Sequence, residues 1–251
     1  MATLKNKTAF ITGGGQGVGQ GIALALAAEG ANVFVVGRTQ HTLDDTCALI
    51  EARGVQAGNT ICDIMKADDL EAAVNACLAQ FGGLDILVNN AQLVPLGPIN
   101  GLSEEAFEEG WVSGPVATLR LMKLCYPHLK NGGNIINLLS SAMRRWDMAN
   151  YGGYSAVKAA IHELTRAAAC EWGEDGIRVN AIMPHAKSPA LANWIERNPA
   201  EAEAFQATIP LKRIGECEED IGAFVALMCS DKAGYLTGQT IGLDGGQALI
   251  G

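Results

Sequence analysis

Short apolar runs alternate with longer amphipathic stretches along almost the whole chain. Runs of about five residues lie near 8–12, 32–36, 85–89, 134–139 and 177–182, and helix-like stretches cover 17–29, 43–53, 68–81 and 154–172. A brief, continuous apolar run bounded by turn residues suits a strand buried on both faces. Strands that alternate with helices build right-handed βαβ units, and these assemble a parallel sheet with helices on both sides. The pattern therefore predicts an α/β, doubly wound chain whose central parallel sheet has about seven strands. No linker, repeat or low-complexity tract interrupts it, so residues 1–251 read as a single catalytic domain. The pattern weakens between Pro184 and Ile214, where Pro189, Pro199 and Pro210 punctuate an Ala/Glu-rich stretch. That stretch predicts a helical lid at about 185–214 rather than a second domain.

Composition narrows the function classes. With 49% hydrophobic and 18% charged residues the chain is not disordered. Its 30 glycines follow no three-residue period, which excludes collagen. A net charge of −9 repels a phosphate backbone, so nucleic acid is not an expected partner. The seven cysteines are odd in number and include no C-x-x-C. They indicate neither a disulfide framework nor a zinc site, and suggest a reducing compartment. No metal is expected. No apolar stretch reaches the ~18 residues that would span a bilayer. The stretch from Met1 to Lys7 carries no signal-peptide core, and the expectation is a cytoplasmic protein without a membrane partner.

The first strand runs into Thr12-Gly13-Gly14-Gly15-Gln16-Gly17-Val18-Gly19, and a helix follows. Glycines let the backbone turn tightly and approach a pyrophosphate, whose charge then meets the helix N-terminus. Placed between strand and helix, this loop predicts a Rossmann-type dinucleotide site.

Further motifs follow in a fixed order. Asn89-Asn90-Ala91 closes the fourth strand, and Ser141 lies thirteen residues before Tyr154-Ser155-Ala156-Val157-Lys158. Arg178-Val179-Asn180-Ala181 leads to Pro184, and Leu236-Thr237-Gly238-Gln239 precedes Asp244-Gly245-Gly246. Over nearly its whole length the chain resembles the short-chain dehydrogenase/reductase family. The resemblance implies cofactor contacts at Gly13, Gln16, Gly17, Val18, Gly19, Asp63, Ile64, Asn90, Tyr154, Lys158 and Pro184. It also implies a homotetramer built on helices near 104–130 and 151–172, where Ala159, Ala160, Ala167, Ala168 and Ala169 would permit close packing.

The end of the second strand bears on the choice of cofactor. A carboxylate there would accept the ribose hydroxyls of NAD. This chain has Gly37 at that position and Arg38 next. A guanidinium suits a 2′-phosphate, so NADP(H) is favoured, with NAD(H) as the alternative. The competing reading of Arg38 is a solvated side chain that stacks on adenine and selects nothing.

Tyr154 and Lys158, four residues apart, share one face of a helix. An unperturbed phenol, with a pKa near ~10, is a poor base at neutral pH. An adjacent ammonium is expected to lower that value. By resemblance Tyr154 is the general acid/base, Lys158 also holds the nicotinamide ribose, and Ser141 binds the substrate oxygen. Ser113 stands where the family has an active-site asparagine, and it brings one donor instead of two. Gln92 puts a side chain where the family's N-N-A-G motif has none, near the nicotinamide, and reads as a substrate contact. Pro189 replaces a threonine that contacts the nicotinamide amide, and Ser188 or backbone groups are the available substitutes.

On the substrate side, Arg144, Arg145 and Trp146 lie in a segment that borders the substrate in the family. Arginines there would meet a carboxylate, or be solvated. Tyr151 reads as pocket-lining. His185 reads as a substrate contact or a packed histidine, and Trp194 as an apolar wall or core. The leading reading is hydride transfer between NADP(H) and a small-molecule secondary alcohol or ketone. The alternative is a dinucleotide-binding scaffold or sensor with little turnover.

Overall fold

The apolar runs become strands because helices cover both of their faces. The computed structural model describes residues 2–145 and 149–248. Its strands are β1 (Thr8–Thr12), β2 (Asn32–Gly37), β3 (Ala57–Ile61), β4 (Ile86–Asn89), β5 (Asn134–Leu138), β6 (Arg178–Pro184) and β7 (Thr240–Leu243). All pair in parallel, in the order β3-β2-β1-β4-β5-β6-β7. The helices are α1 (Gly17–Ala28), α2 (Gln40–Glu51), α3 (Ala67–Phe81), α4 (Glu104–Trp111), α5 (Ala117–Leu129), α6 (Gly152–Trp172), α7 (Pro189–Arg197), α8 (Pro199–Ala207) and α9 (Ala223–Cys229).

Alternation along the strands assigns the two cores. Ala9 and Ile11 of β1, with Val33 and Val35 of β2, pack on Ile22 and Leu26 of α1, Leu43 of α2 and Val225 of α9. Phe10, Phe34 and Val36 face the other way, onto Leu70 and Val74 of α3 and Leu121 and Cys125 of α5. Ala168 and Ala169 join this second core, whereas Ala159 and Ala167 stay exposed. Strand order reverses between β1 and β4, and the crevice outside their carboxyl ends is where such sheets bind ligands.

The stretch near 104–130 is not one uninterrupted helix. Val112–Val116 forms a π turn between α4 and α5 and contains Pro115. Proline has no N–H to donate and crowds the carbonyl four residues back. The widened turn accommodates it, with the Ala117 N–H reaching the Val112 carbonyl. Helices α7 and α8 fill most of the predicted lid segment, and α7 has no buried residue.

Helix α1 crosses the π turn Cys217–Gly222 at close range. A Cβ on Gly21 would sit 2.3 Å from the Cys217 carbonyl carbon, and one on Gly222 would sit 2.4 Å from the Gly21 oxygen. Both neighbours are backbone and cannot swing aside. Gly21→Ala is therefore expected to cost about 1–3 kcal/mol, read as a lower midpoint in denaturant unfolding. An unchanged midpoint would mean that the crossing is looser than this geometry.

Candidate active site

The glycine loop is braced from two strands. Gly13 and Gly14 donate to the Val36 carbonyl at 2.7 and 3.3 Å. Asn90 donates its backbone N–H to Thr12 Oγ1 (3.0 Å) and its side-chain amide to the Thr12 and Gly13 carbonyls (2.8 and 3.2 Å). Ala91 N donates to Thr12 Oγ1 as well, at 3.0 Å. Gly13 and Gly17 have φ of 67° and 59°, a region that favours glycine. A Cβ on Gly19 would approach the Gly13 oxygen to 2.3 Å, and one on Gly15 would approach Thr42 Oγ1 to 2.5 Å. The result is a shallow cradle at the start of α1, with Gln16 exposed beside it and Val18 packed partly into the core.

A groove extends from this cradle along the carboxyl ends of the strands. Asp63 and Ile64 after β3, Arg38 after β2, the glycine loop after β1, and Ala91 and Gln92 after β4 line it in sheet order. Arg38 is exposed and has no ion-pair partner among the described residues. Asp63 accepts from Met65 N at 3.1 Å, and its own N–H donates to Asp69 Oδ2 at 3.0 Å.

Beyond this groove lie β5, next in sheet order, and α6, whose Val157 packs beside Gly114 and Gln92. Tyr154 is half-buried, and Lys158 is 3% exposed. Lys158 Nζ donates to the Leu138 carbonyl at 2.6 Å and lies 5.5 Å from the centre of the Tyr154 ring. Ser141 is buried and begins a 3₁₀ turn that packs on α6, and its carbonyl accepts from Arg144 and Arg145 N–H groups. One sequence expectation needs revision here: the phenol is not made more acidic. Burial pushes Tyr154 up to about 12, opposed by the Ser140 hydrogen bond and aided by Tyr151. Burial also pushes the Lys158 ammonium down to about 7. Both groups prefer their neutral forms because the pocket removes water from them.

Ser113 sits in the π turn and is 1% exposed. Its hydroxyl donates to the Glu109 carbonyl at 2.7 Å and accepts from Leu93 N at 3.1 Å. It pins the loop after β4 to the helix, and its single proton is committed there. Gln92, between the anchored Ala91 and Leu93, lies against Gly114.

On the lid side, Pro184 ends β6 in register with Leu243, and His185 N donates to the Leu243 carbonyl at 2.9 Å. Burial holds the His185 imidazole below its usual value, and its Nδ1 is buried without a partner. Its ring meets Phe205 edge-on at 5.3 Å, Trp194 meets the same phenyl at 5.9 Å, and the Arg145 guanidinium lies 5.6 Å from that ring's centre. Phe205 was not singled out from sequence; its only signal was an aromatic residue in an Ala/Glu-rich lid. Arg144 is exposed, Tyr151 packs on Tyr154 at 6.3 Å, and Trp146 lies outside the described residues. Among the described residues no group of three His, Cys, Asp or Glu could hold a metal, and no helix is long and apolar enough to cross a membrane.

Comparison with known proteins places this geometry. A family model described as enoyl-(acyl carrier protein) reductase matches residues 13–248. The chain is 37% identical to a 12alpha-hydroxysteroid dehydrogenase from a Clostridium species, covering 98% of each. It is 34% identical to dehydrogenase/reductase SDR family member 4 of Bos taurus, covering 97% of this chain and 88% of the other. A short-chain dehydrogenase from Burkholderia cenocepacia, solved in complex with NADP, superposes with a TM-score of 0.90 at 29% identity, covering 98% and 99% of the two chains. The chain belongs to the short-chain dehydrogenase/reductase family, a class of oxidoreductases that bind a nicotinamide dinucleotide. Its own residues fit that group. The loop glycines pack so closely on Asn90, Val35 and Thr42 that no side chain fits there, which leaves the loop backbone bare beside a groove that runs from Asp63 and the exposed Arg38 to Gln92.

Proposed function

We propose that the protein reduces a ketone, or oxidises the matching secondary alcohol, with NADP(H) as the partner and Tyr154 as the proton-transfer group. One observation carries this reading: Tyr154 and Lys158, one helical turn apart on α6 with the Lys158 amine 5.5 Å from the centre of the Tyr154 ring, stand against the turn that begins at Ser141. When bound, the nicotinamide supplies or accepts the hydride. The protein's task is to hold the carbonyl oxygen and deliver a proton to it. Ser141 and Tyr154 supply two hydroxyls to one oxygen, which orients the carbonyl and stabilises charge as it develops. With its pKa raised to about 12, the phenol keeps its proton across neutral pH, so the ligand-free site is poised to act as an acid. Lys158, near 7, stands close to an equal mixture of charged and neutral forms and can pass a proton either way.

Of the residues the sequence placed on the substrate side, Tyr151 packs on Tyr154, and His185 and Trp194 pack on Phe205, which the Arg145 guanidinium also approaches. This suits a compact cyclic or polycyclic ketone. Oxo-steroids and levodione-like cyclic diketones, suggested by the names of relatives, head the panel to be screened by loss of NADPH absorbance. No turnover of any carbonyl, with NADPH still bound, would favour the scaffold reading instead.

Arg38 tests the cofactor preference. A charge-assisted contact to a 2′-phosphate is worth roughly 1.5–3 kcal/mol. Arg38→Ala is therefore expected to raise the Kd for NADPH ~10-fold or more while leaving that for NADH within about twofold. Equal losses for both would make Arg38 an adenine-stacking residue.

A further inference from the structure

Gln92 stands apart from every other described side chain in one respect. Both ends of its amide, Nε2 and Oε1, are buried without a hydrogen-bond partner. Asn89 and Asn134 each leave only an oxygen unpaired, and each donates through its Nδ2. A buried amide with nothing to bond costs free energy in a folded chain, and such groups call for a partner absent from the polypeptide.

The surroundings hold this amide in place. The flanking backbone is anchored, with Ala91 N on Thr12 Oγ1 at 3.0 Å and Leu93 N on Ser113 Oγ at 3.1 Å. The side chain occupies space left open by Gly114, where a Cβ would stand 3.0 Å from Nε2 and 2.5 Å from Val157 Cγ1. Val157 immediately precedes Lys158. Gln92 thus lines the groove next to the helix that carries Tyr154 and Lys158, with the glycine loop, Arg38 and Asp63 ranged away from it in sheet order. In the ligand-free structure both amide atoms are closed off against Gly114 and Val157, so meeting a bound dinucleotide takes a rotation of the side chain into the groove that it lines.

An unpaired primary amide presents two donors and one acceptor. Its best complement is another primary amide, which returns an acceptor and a donor. We propose that Gln92 is a cofactor-holding residue whose amide pairs with the carboxamide of the bound nicotinamide. The inference rests on the dinucleotide reading of the groove, and it moves Gln92 from the substrate's side to the cofactor's.

The test compares two ligands and the ligand-free protein. Gln92→Met keeps the length of the side chain and removes the amide. It is expected to weaken NADPH binding ~10-fold while leaving 2′-phospho-ADP-ribose, which lacks nicotinamide, bound as in the wild type. The ligand-free variant is expected to melt a few degrees higher, because the orphaned amide is gone. Gln92→Gly, which removes the amide without adding bulk, should show the same NADPH-selective loss. Unchanged NADPH affinity in both variants, or an equal loss for both ligands, overturns the assignment while leaving the dinucleotide reading intact. A ketone KM that rises at constant NADPH affinity also overturns it and returns Gln92 to the substrate. If the wild type binds neither NADPH nor NADH, the dinucleotide reading falls and this inference falls with it.

Discussion

Tyr154→Phe is expected to lower carbonyl reduction by ~10²–10⁴-fold, the range for loss of a positioned general acid, while NADPH still binds. The phenyl ring keeps its contact with Tyr151 and its place on α6, so the fold and the groove should survive. What disappears is the proton donor hydrogen-bonded to Ser140. The pH dependence adds a signed check. With the phenol pushed up to about 12, reduction should show no loss attributable to Tyr154 through the neutral range. Alcohol oxidation needs the deprotonated oxygen, so its kcat/KM should climb with pH in the wild type and lose that dependence in the variant. A variant that keeps its rate would dismiss Tyr154 as the acid and leave Ser141 or a water in that role. A variant that also loses NADPH affinity would point to a structural role for the hydroxyl.

The parts of the fold most visible in the sequence are those buried on both faces. Strands β1, β2, β4, β5 and β6 each bury nearly every residue, so burial writes a continuous apolar run. Strands β3 (AGNTI) and β7 (TIGL) are the outer strands of the sheet, only partly covered, and carry no such run. Their place was implied by the alternation alone. The π turn was hidden because hydrophobic periodicity does not register one widened turn, and Pro115 is the only hint. At the site, the Tyr154–Lys158 pair follows from helical spacing alone. The packing around the pair does not, because spacing cannot tell where β5 gives way to the 3₁₀ turn that meets α6. The ionisation of the pair was misjudged for a related reason. Spacing reports that an ammonium is near a phenol, but not that the surrounding fold strips water from both.

That dehydration makes Lys158→Met the second large effect. At 3% exposure, Lys158 has an aliphatic stem packed in the protein and an amine whose contact is the Leu138 carbonyl at 2.6 Å. Methionine replaces the stem with little change of volume and removes the amine that lies 5.5 Å from the centre of the Tyr154 ring. Loss of a positioned proton-transfer group predicts a fall in kcat of about 10²-fold or more. Stability supplies an independent readout. Lys158 titrates near 10.5 when unfolded and near 7 when folded, so between those values the unfolded chain binds more protons. Stability therefore rises with pH across that window and is flat below about 7, as far as this group is concerned. In ligand-free Lys158→Met that contribution to the slope should vanish, so the difference between wild type and variant should drift with pH above neutrality and stay constant below it. A difference that does not vary across the window would mean that the amine is already hydrated in the folded protein. The proton-passing role assigned to Lys158 would then rest on proximity to Tyr154 alone.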